Sequence, residues 1–201
     1  MSNPVTIGGR TFELPVDRNG YWQARYRHDL YRLTVAIARG MFPDAKSAID
    51  VGCYTSGLIC ELDWIERRVA SHINARLVEN WADVPGVTFV PGNAFELDFG
   101  QTFDLVISNQ TIEHLKDPKG FVAKLLGLGR GLILSTTYKV ASGTIEGHVQ
   151  DPIDEDKFRS WFPCELDTWL ICHHPTARQL RFIVGVVKQS HPARTLAAAG
   201  P

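Results

Sequence analysis

From Ser47 to Thr137, short apolar runs and stretches of helical spacing alternate, and this alternation restricts the fold more than any other feature. SAIDV (47–51) reads as a strand and GLICELDWIERR (57–68) as a helix. RVASHI (68–73) reads as a second strand, and ARLVENWADV (75–84) as a helical stretch ended by Pro85-Gly86. VTFVPG (87–92) and the strongly apolar FDLVISN (103–109) follow as strands. KDPKGFVAKLLG (116–127) puts Phe121, Leu125 and Leu126 on one helical face, and GLILSTT (131–137) is a fifth strand. Short strands separated by helices cannot pair as hairpins. The order predicts an α/β fold with a largely parallel sheet and helices on both faces.

The ends of the chain read differently. VTIGG and RTFELPV suggest an extended segment or a small hairpin, ending at the turn signal Asn19-Gly20. YWQARYRHDLYRLTVAIARGM (21–41) reads as one helix, with Trp22, Tyr26, Leu30, Leu33 and Ile37 on an apolar face and Gly40 and Pro43 as its stop. Arg25, Arg27, Arg32 and Arg39 lie opposite as a solvated face. After the fifth strand, DEDKFRSWF (154–162) reads as a short helix. DTWLICHH and RFIVGVVKQ then form an antiparallel hairpin, and the tail from 191 to 201 is small and polar. No linker or repeat divides the 201 residues, so a single domain is expected: an N-terminal hairpin and helix (1–44, a candidate lid), a core (45–190) and a flexible tail (191–201).

Composition removes several functional classes. A net charge of -1 gives no basic field for nucleic acid. No apolar run approaches the roughly 20 residues that span a bilayer. The N-terminus lacks the basic start and apolar core of a signal peptide. Cys53, Cys60, Cys164 and Cys172 form no C-x-x-C pair and read as reduced thiols of a cytoplasmic protein. His173-His174 adjoins Cys172, but adjacent side chains seldom share one ion, so no metal is expected.

The loop after the first strand carries the chemistry. In open parallel sheets the ligand crevice lies beyond the carboxyl ends of the strands, and AIDVGCYTSGLICEL (48–62) leaves the sheet at that end. No Gly-Lys-Ser/Thr follows, which excludes a P-loop. The dinucleotide fingerprint fails because Tyr54 holds its middle glycine. The loop instead resembles motif I of the class I S-adenosylmethionine-dependent methyltransferases. VTFVPGNAFEL and FDLVISNQTIEHLKDPKGFVAKLLGLGRGLILSTTY resemble later segments of the same family, and the terminal hairpin resembles its last two strands. The likeness covers roughly residues 45 to 190.

This resemblance implies a Rossmann-like seven-stranded sheet and S-adenosylmethionine as cofactor, with S-adenosylhomocysteine as product. It places Asp50, Gly52, Cys53, Tyr54 and Gly57 along the methionine part. His72 and Ile73 fall at the ribose, Asn93 and Ala94 at the adenine, and Asn109 and Gln110 at the sulfonium, with Ile112 and His114 beginning the next wall. Four positions depart from the pattern: Tyr54 and Ser56 replace glycines, and His72 and Asn93 replace acids. A Tyr54 in ordinary backbone conformation would stack beside the ligand, and Asn93 keeps an acceptor oxygen. A neutral imidazole at 72 lacks the two charge-assisted acceptors of a carboxylate, a deficit of about 1.5–3 kcal/mol.

Methyl transfer to a hydroxyl or amine needs a proton acceptor. The candidates are His148, in GTIEGHVQDP beside Glu146 and Asp151, and His114; each has a bland alternative, as a loop cap and as an orienting residue respectively. Tyr21, Trp22 and Tyr26 are lid candidates, although Trp22 and Tyr26 fit better against the sheet. Trp161 and Phe162 fit a helix packed on the sheet. The short insertion after the fifth strand suits a small-molecule acceptor, methylated on oxygen or nitrogen. A homodimer, a catalytically inactive partner subunit, and different chemistry on the same fold stand as alternatives.

Overall fold

The computed structural model describes residues 5–7, 10–12, 20–25, 28–174, 176–177 and 179–188. Tyr26, Arg27 and the expected tail (191–201) lie outside them. Strands β1 (Val5–Ile7) and β2 (Arg10–Phe12) pair antiparallel, as expected of the N-terminal hairpin. The central sheet contains β3 (Ser47–Val51), β4 (Arg67–His72), β5 (Val87–Pro91), β6 (Leu105–Asn109), β7 (Gly131–Tyr138), β8 (Thr168–His173) and β9 (Arg181–Lys188). Their order is β5-β4-β3-β6-β7-β9-β8. The first five neighbours run parallel, while β9 lies antiparallel to both β7 and β8.

This order places β3 and β6 side by side at the centre, where the strand order reverses. Ala48, Ile49 and Asp50 pair with Leu105, Val106 and Ile107. The loops leaving β3 and β6 therefore diverge from one point and open a crevice between them. Both strands are buried on both faces, which explains their unbroken apolar sequence.

Helices α1 (Tyr21–Arg25), α2 (Asp29–Met41) and α3 (Val78–Trp81) contribute Trp22, Leu30, Tyr31, Ala38 and Trp81 to one buried cluster. Helices α4 (Pro118–Leu128) and α5 (Glu155–Arg159) contribute Phe121, Val122, Leu125 and Phe158 to a second. Asp117 caps α4 by accepting from Gly120 N at 2.9 Å, with Pro118 at its first position. Asp154 caps α5 by accepting from Lys157 N at 2.8 Å. Trp161 and Phe162 are buried beside Phe158, as their expected packing role requires.

Three helical expectations are corrected. The helix expected over 57–68 is a 3-10 turn at Gly57–Glu61, followed by turns into β4. Leu58, Ile59, Leu62 and Ile65 are all buried, at spacing that imitates a helix face. However, Arg68 Nη1 donates to Cys60 O at 3.0 Å, taking the carbonyl that an α-helix would give to the amide of Trp64. The stretch at 75–84 shortens to a 3-10 turn (Ala75–Leu77) and α3. The helix expected over 21–41 is broken: His28 N donates to Arg25 O at 2.7 Å, and His28 is extended at the start of α2. The buried face of α2 is Leu30, Tyr31, Thr34 and Ala38, while Leu33 and Ile37 are half-buried.

Candidate functional site

The loop leaving β3 closes on its neighbours through backbone bonds. Gly52 N and Cys53 N both donate to Ser71 O on β4, at 2.8 and 3.1 Å. Gly52 has φ +87°, and a Cβ there would meet Thr111 Oγ1 at 2.1 Å. Glycine is thus required on two grounds, by its left-handed backbone and by the close approach of the loop leaving β6.

Tyr54 is not in the ordinary conformation expected; its φ is +46°, in the left-handed region. Trp81 Nε1 donates to Tyr54 O at 3.0 Å and anchors it. The Tyr54 ring packs edge-on to Tyr21, with centroids 4.9 Å apart, and lies 5.8 Å from the His72 ring. Ser56 has φ -72° and accepts from Leu58 N at 3.3 Å, so a glycine is unnecessary there.

A cavity of about 330 Å³ lies above this loop, within the range of small-molecule sites. It is lined by Asp50, Gly52, Cys53, Tyr54, His72, Ile73, Asn109, Gln110 and His114, with Tyr21, Tyr31 and Thr111. A smaller adjoining cavity shares Gly52, His72 and Ile73 and adds Asn93, Ala94 and Phe95. Ten of the eleven residues placed along the cofactor therefore border these two adjoining cavities. Gly57 does not. It packs beneath Trp22, whose indole a Cβ would meet at 2.7 Å. Of the lid candidates, Tyr21 reaches the cavity while Trp22 is fully buried.

The polar groups of the cavity are already partly committed. His72 Nδ1 accepts from Asn74 N at 3.0 Å, so a neutral ring carries its proton on Nε2 and offers the cavity a donor. Burial lowers the His72 pKa and favours that neutral ring. Asn93 Oδ1 accepts from Phe95 N at 3.2 Å, and its Nδ2 donates to Glu96 Oε1 at 2.9 Å. Asn109 Oδ1 accepts from Ser135 Oγ, while its buried Nδ2 has no partner among the described residues.

Burial pushes Asp50 up to about 7. An acid whose folded pKa lies above its unfolded value supplies its full stability below about pH 4 and loses it as pH rises through 7. Asp50→Asn is accordingly expected to raise the melting temperature more at pH 8 than at pH 5.5. Equal shifts at the two pH values would show that Asp50 is not ionising against burial.

His114 and His148 meet at the far end of the cavity, with ring centroids 4.8 Å apart and planes at 88°. His114 Nδ1 donates to Gly147 O at 3.0 Å, and His148 Nδ1 donates to Asp151 Oδ2 at 2.7 Å. Asp151 also accepts from Thr137 Oγ1 at 3.3 Å. His114 lines the cavity; His148 stands behind it and is not among the lining residues.

Glu113 escaped the sequence reading. It is fully buried and pushed up to about 7 by that burial, and it accepts from Thr136 Oγ1 at 3.0 Å. Its carbonyl receives Val149 N and Gln150 N at 2.9 and 3.2 Å, which docks the loop carrying His148. Only an acid adjacent to His114 in the turn after β6 could have signalled it. Thr111 and Ser71 likewise became visible only through tertiary contact, whereas Asp151 already stands beside His148 in the sequence. His173 is exposed, while His174 is half-buried against His28, with centroids 4.2 Å apart.

All four cysteines are free, and among the described residues no helix is long and apolar enough to cross a membrane. No curated protein matches the sequence. Residues 49–130 match a family model described as a methyltransferase domain. The N-methyltransferase NodS from Bradyrhizobium japonicum WM9, solved with S-adenosyl-L-homocysteine, is 9% identical with a TM-score of 0.68 over 88% of this chain and 95% of that one. The 1,6-didemethyltoxoflavin-N1-methyltransferase of Burkholderia thailandensis, solved with its substrate and S-adenosylhomocysteine, is 16% identical with a TM-score of 0.64 over 86% and 84%. The [4+2]-cyclase SpnF is 14% identical with a TM-score of 0.64 over 78% and 79%. Identities this low speak for the fold alone, and the domain match spans residues 49–130, less than half of the chain. The chain therefore has the fold of the class I S-adenosylmethionine-dependent methyltransferases, and residues 49–130 match a methyltransferase domain.

Proposed function

We propose that the protein transfers a methyl group from S-adenosylmethionine to an oxygen or nitrogen of a small molecule in the cytoplasm. The observation that carries this reading is the pair of adjoining cavities that share Gly52, His72 and Ile73, bordered by nearly every residue that the methyltransferase resemblance places along the cofactor. The residues fit the group in kind. Gly52 presents bare backbone at the cavity wall, Asp50 offers a buried carboxyl, and Asn109 Nδ2 is a buried donor awaiting an acceptor. When bound, S-adenosylmethionine supplies an electrophilic methyl on a sulfonium, open to in-line displacement.

The chain's task is then positioning. Asp50 would meet the amino end, Tyr54 and Tyr21 would wall the methionine part, and His72, its Nδ1 already engaged, would offer Nε2–H to a ribose oxygen. Asn109 and Gln110 border the reacting carbon. With both Nδ1 atoms held, His114 at the cavity wall and His148 behind it keep Nε2 as the basic nitrogen of a neutral ring, and this pair would assist deprotonation of the acceptor. Solved relatives named as N-methyltransferases with bound S-adenosylhomocysteine support the cofactor. A second reading, a binding subunit without catalysis, is favoured by His72 and Asn93, each of which has an acceptor atom engaged by its own loop.

Calorimetric titration with S-adenosylhomocysteine decides between them. The methyltransferase reading expects a dissociation constant in the micromolar range; a folded protein that takes up none at millimolar ligand would sink it. His148→Gln is expected to lower turnover at least tenfold with this dissociation constant unchanged. A matching loss of cofactor binding would place His148 elsewhere.

A further inference from the structure

Among the described residues, one group combines the donor set and spacing of a metal centre: Glu113, His114 and His148. One candidate ligand atom from each lies within 4.8 Å of the others. Cysteine and its neighbours suggested no ion in the sequence, because these three residues come from two segments that only the fold joins. The second shell is already built. His114 Nδ1 donates to the Gly147 carbonyl and His148 Nδ1 to the Asp151 carboxylate, which leaves Nε2 of each neutral ring as the free lone pair. A partner on the far nitrogen is the arrangement that fixes metal-binding imidazoles. Thr136 Oγ1 holds one oxygen of Glu113 in the same way.

We propose that Glu113, His114 and His148 bind a divalent first-row transition-metal ion that activates the hydroxyl of the methyl acceptor. Two imidazole nitrogens and one carboxylate suit zinc or manganese better than magnesium, and three protein ligands leave coordination positions free. Bonds of about 2.1 Å need ligand atoms about 3–4 Å apart, so closing on the ion takes side-chain shifts of roughly 1 Å. His114 lines the same cavity as Asn109 and Gln110, which links the three-ligand cluster to that cavity.

This inference rests on the methyltransferase reading and narrows it to an oxygen acceptor. An alcohol oxygen bound to the ion loses its proton to solvent more readily, as metal-bound water does. Its lone pair forms the bond to the methyl carbon while the carbon–sulfur bond breaks. That electron pair stays on sulfur, and S-adenosylhomocysteine leaves as a neutral thioether. His148 then acts as a ligand rather than as the base itself.

The test uses the full chain stripped with a chelator. It is titrated calorimetrically with zinc and with manganese, and with cobalt by visible absorption. One equivalent is expected to bind, with affinity falling at least tenfold in His114→Gln and in Glu113→Gln. His114→Gln is the safer variant, since His114 is exposed and its loss leaves no buried gap. Asp151→Asn is expected to weaken binding about 10–100-fold while leaving all three ligands in place. Circular dichroism confirms folding of each variant. No binding by the wild type, or unchanged affinity in His114→Gln, overturns the proposal. S-adenosylhomocysteine titrated into the same samples separates the two ideas. Cofactor binding without metal binding overturns the metal and keeps the methyltransferase. Metal binding without cofactor binding overturns the role in methyl transfer.

Discussion

Gly52→Ala is expected to destabilise the protein by about 2–5 kcal/mol and to weaken S-adenosylhomocysteine binding at least tenfold. Two costs add. The backbone sits at φ +87°, where a side chain costs about 1–2 kcal/mol. The new Cβ would also stand 2.1 Å from Thr111 Oγ1, an overlap relieved only by moving the loop that leaves β6, at about 1–3 kcal/mol. That movement carries Asn109 and Gln110 with it, and both border the cavity, so affinity falls along with stability. Thr111→Ala removes the hydroxyl and methyl but leaves its own Cβ, which would lie 2.9 Å from the new one. The double variant should therefore recover about 1 kcal/mol or more of the steric part and none of the backbone part. Urea unfolding of the four proteins measures the coupling. Strict additivity would mean that the two loops do not press on each other.

The same position shows what the sequence could and could not reveal. A glycine after a buried strand and an aspartate signalled a ligand loop, and the alternation of strands and helices signalled the sheet around it. Both follow from local rules, since burial on two faces makes strands continuously apolar and a crevice needs glycine where backbones meet. The identity of what Gly52 meets is not local; Thr111 lies in another loop. Glu113 was hidden for the same reason. Nothing in IEH distinguishes a solvated acid from one buried beneath Thr136, and the docking of Val149 and Gln150 on its carbonyl, with the His114–Gly147 bond, brings His148 across. The helix expected over 57–68 failed because the decisive competitor, Arg68, arrives from the next strand. Periodicity reports which residues are buried, and a 3-10 turn with two following bends buries the same four.

Tyr54 is the clearest case of a tertiary contact overriding a local rule, and Trp81 is the lever that tests it. A tyrosine at φ +46° is disfavoured by about 1–2 kcal/mol and persists only if its surroundings hold it. Trp81 does so through the 3.0 Å bond from Nε1 to Tyr54 O, and it is itself 2% exposed and stacked on Phe89 at an interplanar angle of 3°. Trp81→Ala is expected to cost about 3–5 kcal/mol, the usual toll of emptying a large aromatic site. Trp81→Phe separates packing from anchoring. It keeps an aromatic ring against Phe89 and loses only the donor, at about 1–2 kcal/mol. If the left-handed Tyr54 shapes the cavity, Trp81→Phe will bind S-adenosylhomocysteine several-fold more weakly at temperatures where it remains fully folded. If affinity is unchanged, Tyr54 holds its conformation without the indole, and the strain must be borne by the backbone bonds of Gly52 and Cys53 to Ser71.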